Sequence, residues 1–204
     1  WQFALGINLV CQHLNLYSLE GYRKRDFPLS FRDHQPWWDS YHLLGNYIGR
    51  LSYILSQGQY TGDILLLHPS SSTWTEFDVR ANNKIQGEIG QGEIGEKAQA
   101  MTKFLCQNQF LFDLGDDLII EKYGEIDENK FNIKEKTYKT IILPDMTVMR
   151  SSNFKLLKEF AANGGKIITS GVTPYLLDGE ESKELKDFFT GDKVYKTNSK
   201  KEIL

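Results

Sequence analysis

Residues 140–171 read TIILPDMTVMRSSNFKLLKEFAANGGKIITSG: an apolar run, a polar turn, an amphipathic stretch and a second apolar run. Thr140 to Leu143 has the unbroken apolar character of a strand buried on both faces, and Pro144 ends it. A helix is expected from about Ser152 to Ala162, with Ser151 or Ser152 able to cap its start and Asn163-Gly164 able to close it in a left-handed turn. Lys166 to Thr169 repeats the strand pattern. A strand, a helix and a strand joined this tightly make a right-handed βαβ unit with parallel strands.

The flanking sequence extends the same grammar. Asp63 to His68 (DILLLH) is another buried-strand run, closed by Pro69 and a Ser-rich turn at 70–72. A helix is expected from about Ala98 to Asn108, with Met101, Phe104 and Leu105 on one face. Leu118 to Glu121 (LIIE) and Ile133 to Lys136 read as short strands around a turn at Gly124. The expected class is therefore α/β, an open, mostly parallel sheet with helices on both faces. Ahead of it the pattern changes. Phe3 to Leu9 suits a buried strand that ends near His13, and Asn15 to Gln35 is an unpatterned, aromatic and charged loop. Pro36 then opens a helix of about 20 residues, about 30 Å long, whose stripe runs Trp37, Tyr41, Leu44, Ile48, Leu51, Leu55 and stops at Gly58.

The 204 residues are 40% hydrophobic and 25% charged, with a formal net charge of −3. That composition suits a folded core and carries neither a nucleic-acid footprint nor an attraction for anionic membranes. No apolar run approaches the roughly 20 residues of a membrane span. Cys11 and Cys106 are too few for a disulfide framework, and Cys106 is expected as a small core residue. The chain starts WQFALGINLV, without Met or a signal-like region, so it is expected to be a piece of a longer protein.

Several motifs invite chemistry. Gly90 to Gly95 (GQGEIG) matches GxGxxG, but it arises from the tandem QGEIG repeat at 86–95, follows polar residues and carries Glu88 and Glu93 where phosphate would sit. No P-loop is present. A class I glutamine amidotransferase needs a nucleophilic Cys after a strand and a later His. No Cys follows Cys106 and no His follows His68, which excludes that chemistry. The histidines His13, His34, His42 and His68 lack ligand spacing, so neither a metal nor a cofactor is expected. His68 is expected in a structural hydrogen bond, whereas His13, just past a strand end, divides evenly between a site and a structural role. Asp113, Asp116 and Asp117 (FDLGDD) are better explained by solvation and capping than by a carboxylate centre. Aromatic faces can stack on a pyranose. With Trp37 assigned to the helical stripe, Trp38, Tyr17 and Tyr22 are the candidates for that task.

The order of Gly6-Ile7-Asn8, His13, Tyr17, Gly21, Arg23, Pro36-Trp37-Trp38, the 47–58 stretch YIGRLSYILSQG and the 63–69 stretch DILLLHP resembles large bacterial glycoside hydrolases of the α-L-rhamnosidase type, family 106 and its relatives. FDLGDD and the 140–171 stretch fit the same resemblance. It implies that residues 1–58 are the last strand, loop and helix of a (β/α)8 barrel, and that 59–204 form a flavodoxin-like or amidotransferase-like accessory domain. It further implies Asn8, His13 and Arg23 as contacts to a carbohydrate substrate in the intact, periplasmic or secreted enzyme. The pair of carboxylic acids that glycoside hydrolysis needs would come from earlier barrel strands. Glu20, Asp26 and Asp33 lie in the right loop without a context that marks them, so the chain alone is expected to be silent. Two other readings stay open. A stand-alone module for a flavin, nucleotide or sugar would use the strand ends near 70–73, 145–147 or 170–173. A structural interaction protein would self-associate through the Trp37 to Leu55 face.

Overall fold

A computed structural model describes residues 2–13, 15–25, 31–77 and 92–197. The chain divides into two compact units, Trp1–Tyr60 and Thr61–Leu204. The first contains 3-10 turns at Phe3–Leu5, Gly21–Arg25 and Trp38–Ser40, and one helix, α1 (Tyr41–Leu55). The strand expected at Phe3 to Leu9 is not formed. That run begins as a 3-10 turn closed by Gly6 at φ +96° and continues as exposed, irregular chain. With no neighbouring strand among the described residues of this unit, an apolar run has no ladder to join. The expected helix is also shorter, because its first turn is the 3-10 turn and Trp37 lies outside it. Tyr41, Ile48 and Leu51 of the stripe are half-buried, Leu44 and Leu55 are exposed, and no residue of α1 is buried.

The second unit continues with β1 (Ile64–Leu67), α2 (Ser70–Glu76), α3 (Glu93–Gln107), β2 (Phe112–Gly115), α4 (Asp117–Tyr123), β3 (Gly124–Asp127), β4 (Lys130–Ile133), β5 (Lys136–Tyr138), β6 (Thr140–Leu143), β7 (Val148–Met149), α5 (Ser151–Ala162), β8 (Lys166–Ser170), β9 (Leu176–Leu177), β10 (Glu180–Glu181), α6 (Lys183–Thr190) and β11 (Val194–Thr197). Five strands form one parallel sheet in the order β11-β8-β6-β1-β2. Counting only these strands along the chain, the order is 2-1-3-4-5, a doubly wound arrangement. The period of two along each strand sorts the core. Leu65, Leu67, Ile141, Leu143 and Ile167 face a layer with Phe154, Leu157 and Phe160 of α5 and Leu185 and Phe189 of α6. Leu66, Ile142 and Ile168 face Met101 and Leu105 of α3. Helices thus cover both faces, which is why the central strands are apolar at successive positions.

Several local expectations are corrected. LIIE is helical within α4, because Asp116 caps that helix, its Oδ1 accepting from the N–H groups of Leu118 (2.9 Å) and Ile119 (3.1 Å). A four-residue apolar run fits a strand or a helix equally, and the cap decides between them. The strand of the parallel sheet is FDLG just before it. Ile133 to Lys136 spans the turn between β4 and β5, whose antiparallel meander with β3 contributes Phe131 and Tyr138 to the core. Gly124 makes no left-handed turn; it starts β3 where a Cβ would lie 2.6 Å from the Ile120 carbonyl oxygen. The Ser-rich turn at 70–72 is the first turn of α2, so a helix does follow β1 directly. Neither Ser151 nor Ser152 caps α5. Instead the Asp178 carboxylate accepts from the Ser151 N–H at 3.0 Å, while Ser152 Oγ donates to Glu121. At the other end Gly164 adopts φ +84°, and Gly165 lies under the Phe160 ring, 2.4 Å from where its Cβ would be. α6, β11 and the small β7-β9-β10 sheet add to what the sequence indicated.

Candidate functional site

Two places gather polar and aromatic side chains, one in each unit. In the first, residues 15–17 and 31–33 line, with Trp38, a shallow, open depression of about 530 Å3. Two bonds fasten the two stretches. Asn15 Oδ1 accepts from the Phe31 N–H at 2.7 Å, and Arg32 Nη1 donates to the Tyr17 carbonyl at 2.8 Å. Behind the cavity stands an aromatic cluster. Trp38 stacks on Tyr41, with centroids 5.5 Å apart and planes 14° apart, and Trp37 packs between Tyr41 (5.6 Å) and Phe31 (6.0 Å). Gln12 Nε2 donates to the Tyr41 hydroxyl, tying the preceding segment to the cluster. Trp37, expected in the helical stripe, therefore belongs to this cluster, and Trp38 and Phe31 form the cavity's aromatic wall.

Asn8, His13 and Arg23, the three residues implied as substrate contacts, do not border this cavity. Asn8 and His13 are exposed on irregular chain, and Arg23 sits in a 3-10 turn with Nη1 on Ser18 Oγ at 2.8 Å and 3.9 Å from Glu20. Of the unassigned carboxylates, Asp33 lines the cavity, Glu20 pairs with Arg23 and Asp26 lies outside the described residues. Asn15 and Arg32 were not singled out from the sequence. Asn15 pairs with Phe31, 16 residues on, and Arg32 with Tyr17, 15 residues back, relations across unpatterned chain that local periodicity does not register.

In the second unit, the carboxyl ends of β1, β2, β6 and β8 converge at the topological switch point, where open α/β sheets bind ligands. Here the loops that follow these strands bond one another. The buried Ser72 hydroxyl accepts from the N–H groups of Thr147 (3.0 Å) and Val148 (2.9 Å) and lies 3.2 Å from the Val148 carbonyl. Asp145 Oδ1 accepts from the Val172 N–H at 3.1 Å and from Lys97 at 3.2 Å. Gly171, at φ +87°, passes so close to this carboxylate that a Cβ would lie 2.4 Å from it. Lys97 also pairs with Glu93 at 2.7 Å. Hydrogen bonds first to Glu93 and then to Asp145 raise the Lys97 pKa, and the bond from Lys97 lowers that of Glu93. Only the second half of the GxGxxG match, from Gly92, falls within the described residues. There the Ile94 N–H at the start of α3 is taken by the Glu76 carboxylate at 3.1 Å, so an acid occupies the place of a phosphate.

The FDLGDD carboxylates act as connectors, not as a centre. Asp113 accepts from the Tyr138 hydroxyl at 3.0 Å, Asp116 caps α4, and buried Asp117 accepts from Ser71 Oγ at 2.7 Å and Asn153 Nδ2 at 3.0 Å. His68 Nδ1 lies 2.7 Å from Ser70 Oγ. Cys106 is a half-buried free thiol. Among the described residues there is no cluster of metal-ligating side chains, and no helix is long and apolar enough to cross a membrane.

No protein-family model matches the chain, and no curated protein sequence matches it. Solved structures do. A rhamnosidase from Novosphingobium sp. PP1Y aligns with the whole chain at 15% identity and a TM-score of 0.63, the match spanning 20% of that protein. An α-L-fucosidase isoenzyme 2 from Paenibacillus thiaminolyticus matches 66% of the chain at 23% identity and TM-score 0.41, over 17% of its own length. The GH42 β-galactosidase Gan42B matches 74% at 15% identity and TM-score 0.48, over 19% of its length. The chain thus spans about a fifth of each of these glycoside hydrolases. What it shares with the rhamnosidase is a fold.

Proposed function

We propose that this chain is a non-catalytic, carboxyl-side part of a glycoside hydrolase of the α-L-rhamnosidase type, acting on plant or bacterial polysaccharide. Residues 1–58 supply the end of a (β/α)8 barrel, and residues 59–204 a flavodoxin-like accessory domain that braces it. The observation that supports the reading is that the whole chain aligns with about a fifth of a rhamnosidase at a TM-score of 0.63. The 2-1-3-4-5 order, shared by flavodoxin-like sheets, supports the second assignment. In the intact protein Asn8, His13 and Arg23 reach the carbohydrate, while the acid and the base come from other barrel strands. The exposed apolar side of α1 makes the chain on its own prone to self-association. The competing reading, a flavin or nucleotide module, is disfavoured by a crevice whose loops already bond one another through Ser72 and Asp145.

The test is hydrolysis of a chromogenic α-L-rhamnoside by the full-length parent protein and by the 204-residue chain. Activity is expected in the first and not in the second. Turnover by the isolated chain would place both carboxylates within it, and nanomolar flavin binding would replace the hydrolase reading altogether.

A further inference from the structure

We infer that the Asn163-Gly164 corner between α5 and β8 is a self-modification site, where the asparagine deamidates to aspartate or isoaspartate when the last turn of the helix opens, and where the isoaspartate then loosens the corner. The site lies in the second unit and is independent of the glycosidase reading.

Of the asparagines in the chain, Asn163 is the one followed by glycine. The reaction is an attack by the next residue's backbone nitrogen on the asparagine's own side chain, and glycine has no Cβ to crowd that nitrogen. The Gly164 nitrogen loses its proton to solvent and bonds to Asn163 Cγ. The Cγ–Nδ2 bond breaks, and ammonia leaves with a proton taken from water. Water then opens the five-membered succinimide at either carbonyl. One opening leaves an aspartate with an ordinary peptide link; the other leaves an isoaspartate, whose main chain is longer by one methylene. Residues 162–164 are exposed, so hydroxide and water reach the corner.

The folded corner holds the reacting atoms apart. Gly164, at φ +84°, donates its N–H to the Ala161 carbonyl at 3.2 Å, and Gly165 donates to the Phe160 carbonyl at 2.8 Å, the paired bonds that close a helix around a left-handed residue. The attacking nitrogen is thereby occupied. Asn163, at φ −85° and ψ 9°, sets the Gly164 nitrogen beside its own backbone nitrogen, whereas ring closure needs it beside Cβ. The turn must open first, and helix ends are where opening costs least. After isoaspartate forms, the corner cannot close as before. Gly165 lies so near Phe160 that even a Cβ would stand 2.4 Å from the ring, so a main chain lengthened by a methylene cannot keep both bonds and that contact. Either product also puts a negative charge at the carboxyl end of α5, where the helix dipole opposes it. Asp178-Gly179 has the same spacing, but an ionised carboxylate is a poor electrophile, and this one already accepts from the Ser151 N–H at 3.0 Å.

Mass-spectrometric peptide mapping of the 204-residue chain, aged at mildly alkaline pH in buffer and in guanidinium chloride, tests this. The tryptic peptide 159–166 should gain about 1 Da, the difference between carboxylic acid and carboxamide, and should accept a methyl group from an isoaspartate O-methyltransferase supplied with S-adenosylmethionine. The gain is expected to be at least about tenfold slower in buffer than in denaturant. Ala162→Gly, at an exposed position, frays the last turn without touching the core and should speed the reaction in buffer about three- to fivefold, leaving the rate in denaturant unchanged. Asn163→Gln should abolish the gain, because its longer side chain would have to close a six-membered ring. The isoaspartate-bearing fraction should unfold at a lower denaturant midpoint than Asn163→Asp, which carries the charge without the methylene. Equal rates in buffer and denaturant overturn the gate, as does a rate in buffer that ignores Ala162→Gly. A faster gain at another asparagine in buffer overturns the site, and a midpoint equal to that of Asn163→Asp overturns the loosening.

Discussion

Helix α5 buries Phe154, Leu157 and Phe160, whereas α1, three residues longer and with an equally regular apolar stripe, buries nothing. Both segments meet the spacing rule of three and four residues, and both are helical. What separates them is the layer each can reach. α5 lies on a parallel sheet whose strands present Ile141, Leu143 and Ile167 to it. α1 belongs to a unit in which no described residue between 2 and 60 is buried. Periodicity therefore specifies a helix and the face it will offer, and the amount of burial is decided by whether a second layer exists to accept that face.

The sharpest way to break this comparison is to cut into the α5 layer. Phe160 is fully buried, edge-on to Phe131 at 5.8 Å and closed over by Gly165. Phe160→Ala should cost about 3–5 kcal/mol through lost transfer energy and the cavity left behind. Urea denaturation followed by circular dichroism reads it as a lowered midpoint of the main transition. A loss below about 1 kcal/mol would mean that the second unit is far looser than its packing indicates.

The difference between the two helices also marks what was legible in the sequence. ILLL, TIIL and KIIT could be read because strands covered on both faces need apolar side chains in succession, a requirement visible within four residues. FDLG at the sheet edge escaped, since β2 pairs on one side only and carries Asp113 to a hydroxyl partner, and LIIE behind it mimicked the missing strand. Asp116, an aspartate just ahead of the run, is the capping signal that marks it as helical. The cavity was half legible. Trp38 and Tyr17 stood out as aromatics outside any stripe, but Asn15 and Arg32 act across a loop, and nothing in local sequence records which residues a loop brings together.

A buried polar junction in the second unit extends the contrast with a smaller effect. Asp117 joins Ser71, after β1, to Asn153, in the first turn of α5. Asn153 Oδ1 is, among the described residues, a buried side-chain atom without a hydrogen-bond partner, so this junction has little slack. Asp117→Ala leaves the Ser71 hydroxyl and the Asn153 amide short of an acceptor and should cost about 1–3 kcal/mol, read from the same denaturation midpoint. A neutral result would show that the connection between α2, α4 and α5 is made by apolar contacts alone.

Acid provides a milder probe. Hydrogen bonds from Ser151, its hydroxyl first and then its backbone N–H, with Arg150 nearby, hold the Asp178 carboxyl below its ordinary range. The folded state then binds that proton less tightly than the unfolded chain does. Its stabilising contribution is present above the unfolded carboxyl range and is lost as the pH falls through the lower, folded value. Asp178 is exposed, so screening keeps the effect modest. Asp178→Asn should flatten the acid limb of a stability-versus-pH curve for the second unit, and an unchanged limb would assign that limb to other carboxylates.

The smallest expected effect falls on α1 and bears most directly on the contrast. Leu44 is 46% exposed, on the same side of the helix as half-buried Tyr41 and Ile48. In the isolated chain Leu44→Ser removes little packing and should change stability by no more than about 0.5 kcal/mol. Sedimentation measured over a range of concentrations then separates two reasons for a larger number. If Leu44→Ser costs about 2 kcal/mol and lowers the sedimentation coefficient of a concentrated sample, the face is covered by a second copy. If the cost is the same at every concentration and the coefficient does not change, α1 is packed within its own chain in solution. That second result would abolish the contrast with α5, because both helices would then have found a layer.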